Sequence, residues 1–134
     1  AIFYARGVLE TVKKLRWCPD IIHCHGWMTA LAPLYIKKAY KDEPSFRDAK
    51  VVFSVFEDDF KESFNADFIN RLVLKGVTKK DMAHLKAPVD YATLCKLAID
   101  YSDGVIQQRG YGICPPGRKT DFRISNSRNI CRGL

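Results

Sequence analysis

The octapeptide Asp20-Ile21-Ile22-His23-Cys24-His25-Gly26-Trp27 gathers the side chains best suited to chemistry in this chain. Two imidazoles flank a thiol, and a glycine and a tryptophan follow. The apolar pair Ile21-Ile22 reads as a short strand that delivers polar groups to its carboxyl end, where open α/β sheets bind ligands. Three chemistries are open to such a cluster. His23, Cys24 and His25 could hold a metal, but adjacent strand residues point to opposite faces and the sequence supplies no second ligand cluster. Cys24 and His25 could pair as nucleophile and base, and the same alternation turns them apart. An imidazole could also hydrogen-bond a bound ligand; its plain rival is a polar strand-end residue satisfied by backbone. His23 and His25 share one face, and His23, the deeper of the two, reads as structural. Trp27 could stack on a ring, or simply be a core aromatic that opens a helix. Glu57, Asp58 and Asp59 offer carboxylates, yet three successive acids read as a solvated turn.

The elements that must position these residues follow from periodicity. Ala5, Val8, Leu9, Val12 and Leu15 recur at helical spacing, so Ile2 to Trp17 is expected to be a helix stopped by Pro19. Ile21 to Cys24 is the strand, Gly26 the turn, and Trp27 to about Tyr40 the next helix, with Pro33 kinking it or marking its true start. Lys50 to Phe56, β-branched and aromatic, is the clearest strand. Glu57 to Ala66 reads as a loop and Asp67 to Leu74 as a short helix ended by Gly76. Thr78 and Asp81 resemble a capping box that opens a helix to about Leu85. Val89 to Tyr101 carries another apolar stripe, and Gly104 starts a third strand.

Strands alternating with helices imply right-handed crossovers and a parallel sheet. The fold class is therefore α/β. Three strands are few for an independent sheet of this kind, so residues 1–106 read as part of a larger Rossmann-like domain. Residues 107–134 change character. They hold Cys-Pro-Pro-Gly, scattered Ser and Asn, and little periodicity, and are expected to form an irregular basic tail.

Charge follows the same division. The chain carries +7, and residues 107–134 hold Arg109, Arg118, Lys119, Arg123, Arg128 and Arg132 against Asp121 alone. The body before them is nearly balanced. The basic pI is thus a property of the tail, and without interleaved aromatics it does not read as a nucleic-acid surface. No apolar stretch approaches the roughly 20 residues of a membrane span. The opening residues are not expected to be a signal peptide, and a chain that starts without Met is expected to have been entered partway. Five cysteines at irregular spacing, with no CxxC pair, fit a reducing cytoplasmic setting better than a disulfide framework. Cys24 and Cys95 sit in apolar patterns and read as small core residues.

The run from Trp17 to Tyr35 (Trp-Cys-Pro-Asp-Ile-Ile-His-Cys-His-Gly-Trp-Met-Thr-Ala-Leu-Ala-Pro-Leu-Tyr) resembles bacterial glycogen and starch synthases, which carry P-D-[IV]-[IV]-H-x-H-[DG]-W followed by A-L-x-P-x-Y. Lys50 to Val55 is similar to that family's next strand, and Tyr91 to Ile106 to its later helix–strand unit. The resemblance covers most of residues 1–106. It implies half of a GT-B architecture, in which two Rossmann-like domains face each other across a cleft. It further implies retaining transfer of glucose from ADP-glucose to the non-reducing end of an α-1,4-glucan. No cofactor and no metal are expected. By resemblance His25 contacts the transferring glucose, with Gly26 and Trp27 beside it. A neutral imidazole at a strand end can hydrogen-bond and position a sugar hydroxyl. Three features depart from the pattern. Residues 107–134 do not resemble the family's continuation after Ile106. Phe56-Glu57 stands where many members have His-Asn, and the family's lysine-glycine phosphate motif has no counterpart. A piece of another GT-B glycosyltransferase, or a truncated remnant without activity, are the alternatives these residues leave open.

Overall fold

The computed structural model describes residues 1–56, 61, 63–65, 67–78, 80–83, 85, 88–108 and 122–125. Four helices and four strands are defined among them. They are α1 (Ile2–Lys14), β1 (Ile21–His25), α2 (Ala32–Lys38), β2 (Lys50–Val55), α3 (Asp67–Leu72), α4 (Tyr91–Asp100), β3 (Gly104–Gln108) and β4 (Phe122–Ser125). The sheet order is β1-β2-β3-β4. The first three strands are parallel, with Cys24 opposite Phe53 and Phe53 opposite Val105. Helices intervene between successive parallel strands, which is the α/β organisation expected of a partial Rossmann-like domain.

One face of this sheet makes the core. Cys24, Val51, Phe53 and Val105 are buried together with Leu9 of α1, Leu34 and Tyr35 of α2, and Leu94, Leu97 and Ala98 of α4. Alternation sends Ile21, His23 and His25 to the other face, where all three are exposed.

Several boundaries differ from expectation, each for a local reason. The first helix stops at Lys14 rather than Trp17, three turns' worth of apolar stripe notwithstanding. Arg16 adopts φ 52°. Its N–H donates to Lys13 O at 3.0 Å and the Trp17 N–H to Val12 O at 3.2 Å, a Schellman ending reached well before Pro19. The stretch after Gly26 is two pieces: a 3-10 turn over Trp27–Thr29, then α2, with Pro33 in its first turn. Pro33 thus marks a start rather than a kink, because its missing N–H would be unsatisfied there anyway. The Thr78–Asp81 box does form, the Thr78 N–H and hydroxyl donating to Asp81 Oδ2 at 2.9 and 2.7 Å. Among the described residues it opens only a turn. The last helix starts at Tyr91 because Asp90 caps it, its Oδ1 accepting the Thr93 N–H at 2.8 Å.

The tail expected to be irregular over 107–134 is not so throughout. Gln107 and Gln108 continue β3, and Phe122–Ser125 pairs antiparallel to β3 as a fourth strand. A neighbouring strand edge with unpaired N–H and C=O groups can order a short segment that its own composition would leave irregular. The rest of the tail, including Cys114 and Cys131, lies outside the described residues. So do Glu57, Asp58 and Asp59.

Candidate strand-end site

β1 ends on His25 and β2 on Val55, and the site forms where they end. Parallel pairing sets the Cα of His25 opposite that of Ser54. The chain must then leave the sheet sharply. Gly26 does this at φ 67° and ψ 177°, a region essentially reserved for glycine. Its N–H donates to Ser54 O at 3.1 Å. The Thr29 hydroxyl lies 3.0 Å from His25 O and 2.9 Å from Gly26 O, tying the 3-10 turn back to the strand end.

The two imidazoles meet on the open face. Their ring centroids are 3.8 Å apart at a tilt of 41°. The His25 ring also lies nearly parallel to Phe56, 5.9 Å away. His23 Nε2 is 2.7 Å from Ser54 Oγ. Ser54 itself is buried at 4% exposure. Partial burial, and secondarily the nearby His25, lower the His23 imidazole below its ordinary value, so His23 is neutral near pH 7. The Tyr91 hydroxyl donates to the Phe56 carbonyl, which anchors the end of β2 to the start of α4. Together these contacts make a polar shelf at the strand ends, suited to giving and accepting hydrogen bonds.

Each candidate residue has a definite place. His25 is exposed on the shelf, and His23 is its partner on the same face. Trp27 is half-buried against the core, its ring centroid 6.3 Å from that of Phe64. Cys24 faces away from the histidines into the core, and burial pushes its thiol up to about 11, which removes the thiolate a nucleophile needs at neutral pH. Among the described residues no group of three His, Cys, Asp or Glu side chains could hold a metal ion. Also among them, no helix is long and apolar enough to cross a membrane. Ser54 and Tyr91 read from the sequence only as parts of a strand and a helix, not as site residues. The signal for Ser54 is that it is the one polar side chain inside the apolar run Val51 to Phe56.

A three-stranded parallel sheet with helices between its strands defines a partial Rossmann-like domain. The family is more specific than that. Residues 1–108 match the model of the starch synthase catalytic domain, and the chain belongs to that family. A glycogen synthase of Clostridium perfringens is 30% identical over 133 aligned residues, covering 83% of this chain and 28% of that protein. A glycogen synthase of Pelodictyon phaeoclathratiforme is 52% identical over 54 residues, 40% of this chain and 11% of that protein. The catalytic domain of starch synthase IV from Arabidopsis thaliana, solved bound to ADP and acarbose, superposes with a TM-score of 0.58 at 25% identity, over 77% of this chain and 21% of that one. This chain therefore spans between about a tenth and little more than a quarter of the relatives it matches.

Proposed function

We propose that this chain is one wall of the active-site cleft of a glycogen or starch synthase of GT-B architecture. The whole enzyme transfers glucose from ADP-glucose, with retention, to the non-reducing end of an α-1,4-glucan. His25 contacts the transferring glucose, and the Gly26 turn and Trp27 shape the floor beside it. The observation that carries this reading is the exposed His25 imidazole at the carboxyl end of β1, immediately before a glycine-only turn, in a chain of this family. The ADP and acarbose held by the Arabidopsis thaliana neighbour support a nucleotide-sugar donor and a glucan acceptor. A hydrogen-bonding group of this kind stabilises a transition state by interactions worth about 100-fold or more in turnover. In the full-length enzyme, His25→Ala should lower kcat by at least that factor, measured as incorporation of labelled glucose from ADP-glucose into glycogen. Unchanged kcat removes His25 from the site. The 134-residue chain assayed alone should incorporate none, because the cleft's other wall is not within it.

A further inference from the structure

We propose that Ser54 is a positioning residue of this site: its hydroxyl holds the His23 imidazole, and the His23 ring in turn sets the orientation of His25. The functional consequence rests on the assignment of His25 above; the positioning itself does not. Three observations on the open face carry it. Ser54 Oγ and His23 Nε2 are 2.7 Å apart across the β1–β2 ladder, the length of a good hydrogen bond. The His23 and His25 rings are in contact, with centroids 3.8 Å apart. Ser54 also accepts the Gly26 N–H through its backbone, so one residue of β2 grips the His23–Gly26 segment at both ends.

The buried position of Ser54 gives the bond a direction. A buried hydroxyl hydrogen left without an acceptor is costly. The hydrogen-bond partner found for this hydroxyl among the described residues is His23 Nε2, so Ser54 donates and His23 Nε2 accepts. That places the His23 proton on Nδ1, the opposite of the Nε2–H form that a free imidazole favours in water. Partial burial keeps the ring neutral and so preserves its acceptor. An imidazole fixed in tautomer and tilt offers His25 one surface to rest on, where a freely rotating ring would offer many.

Nitrogen NMR of the histidine rings in the full 134-residue chain tests this directly. Long-range proton–nitrogen correlations near pH 8 should show His23 mainly as Nδ1–H. Ser54→Ala should return it to the Nε2–H form and shift the ring signals of His25, while Ser54→Thr, which keeps the hydroxyl, should retain the native pattern. Matched circular dichroism of both variants guards against a folding defect, and Ser54→Thr keeps the comparison open if Ser54→Ala does not fold. A native His23 in the Nε2–H form overturns the proposal, as do His25 ring signals unmoved by Ser54→Ala. In the full-length enzyme, Ser54→Ala should lower kcat at least tenfold with KM nearly unchanged, and Ser54→Thr should restore it. Altered His25 signals with normal turnover would overturn the catalytic assignment of His25 and leave the positioning role intact.

Discussion

Asp103 and Val51 exchange two hydrogen bonds. The Asp103 N–H donates to Val51 O at 2.8 Å, and the Val51 N–H donates to Asp103 Oδ2 at 2.8 Å. The side chain thus extends the β2–β3 ladder one step before its first regular pair, Val52 with Gly104. Lys37 of α2 binds the same carboxylate oxygen at 2.7 Å, so a helix, a strand and a turn converge on one acid. A hydrogen bond to a charged group contributes about 1.5–3 kcal/mol. Asp103→Ala should therefore lower stability by about 2 kcal/mol in urea unfolding, and Asp103→Asn by less. A value near zero for Asp103→Ala would show that water replaces the carboxylate at no cost.

The same acid makes a pH prediction. Burial alone would raise the Asp103 carboxyl; the Lys37 ammonium and the Val51 N–H outweigh it and hold the carboxyl below its usual value. Asp81 is held below the usual range as well, by Lys38 first and then by Thr78. For a folded-state pKa that is depressed, the stabilisation is complete above the unfolded value of about 4 and is lost as pH falls through the folded value. These two carboxylates should make stability fall below about pH 4. Asp103→Asn should make that acid-side fall shallower. An unaltered slope would mean that Asp103 does not titrate with unfolding.

Arg16 offers a stabilising change. It occupies the left-handed C′ position after α1 at φ 52°, where a residue with a Cβ is disfavoured by about 1 kcal/mol and glycine is the common choice. Arg16→Gly should raise stability by up to about 1 kcal/mol, less whatever the unfolded chain gains in freedom. Thermal unfolding by circular dichroism reads the shift, and a lower Tm would refute the assignment of this ending.

Much of this was legible because it depended on alternation and spacing. Period-two geometry alone places His23 and His25 on one face and Cys24 on the other, and the rings do meet on that face. Gly26 was legible as a turn because few other residues reach its backbone conformation. What was hidden depends on contacts between distant segments. The Ser54 hydroxyl gains meaning only when β1 and β2 pair, and Asp103 only when α2, β2 and the β3 turn converge. The helix end at Arg16 was hidden for a different reason, since arginine is not the residue a left-handed cap advertises. The fourth strand, Phe122–Ser125, sits in a segment with little periodicity around it and shows only in its pairing with β3.

The two left-handed glycines should differ in cost. At Gly26 a Cβ would meet Phe56 only at 3.9 Å, so Gly26→Ala suffers backbone strain alone, about 1–3 kcal/mol. At Gly76, φ is 96° and a Cβ would lie 2.8 Å from Lys38 O and 3.2 Å from Ala39 Cα. Both are backbone atoms at the end of α2 and cannot swing aside. Gly76→Ala should therefore be the more destabilising of the two in equilibrium unfolding. The reverse order would place α2 and the Gly76 turn farther apart than they are here.

The thiols test which face of β1 carries the chemistry. Cys24 and Cys95 are buried, and burial raises both thiols; Cys18 is exposed. Alkylation requires both a thiolate and access. Iodoacetamide at pH 8 should therefore modify Cys18 promptly and leave Cys24 and Cys95 untouched until denaturant is added, as read by peptide mass mapping. The outcome bears on the site because Cys24 lies between His23 and His25 in sequence. Rapid labelling of Cys24 would mean that β1 presents its thiol to solvent and that the strand is turned over or frayed. Protection of Cys24, together with exchange-broadened, solvent-accessible ring protons on His25, would fix the register that sets the imidazoles outward and the thiol inward.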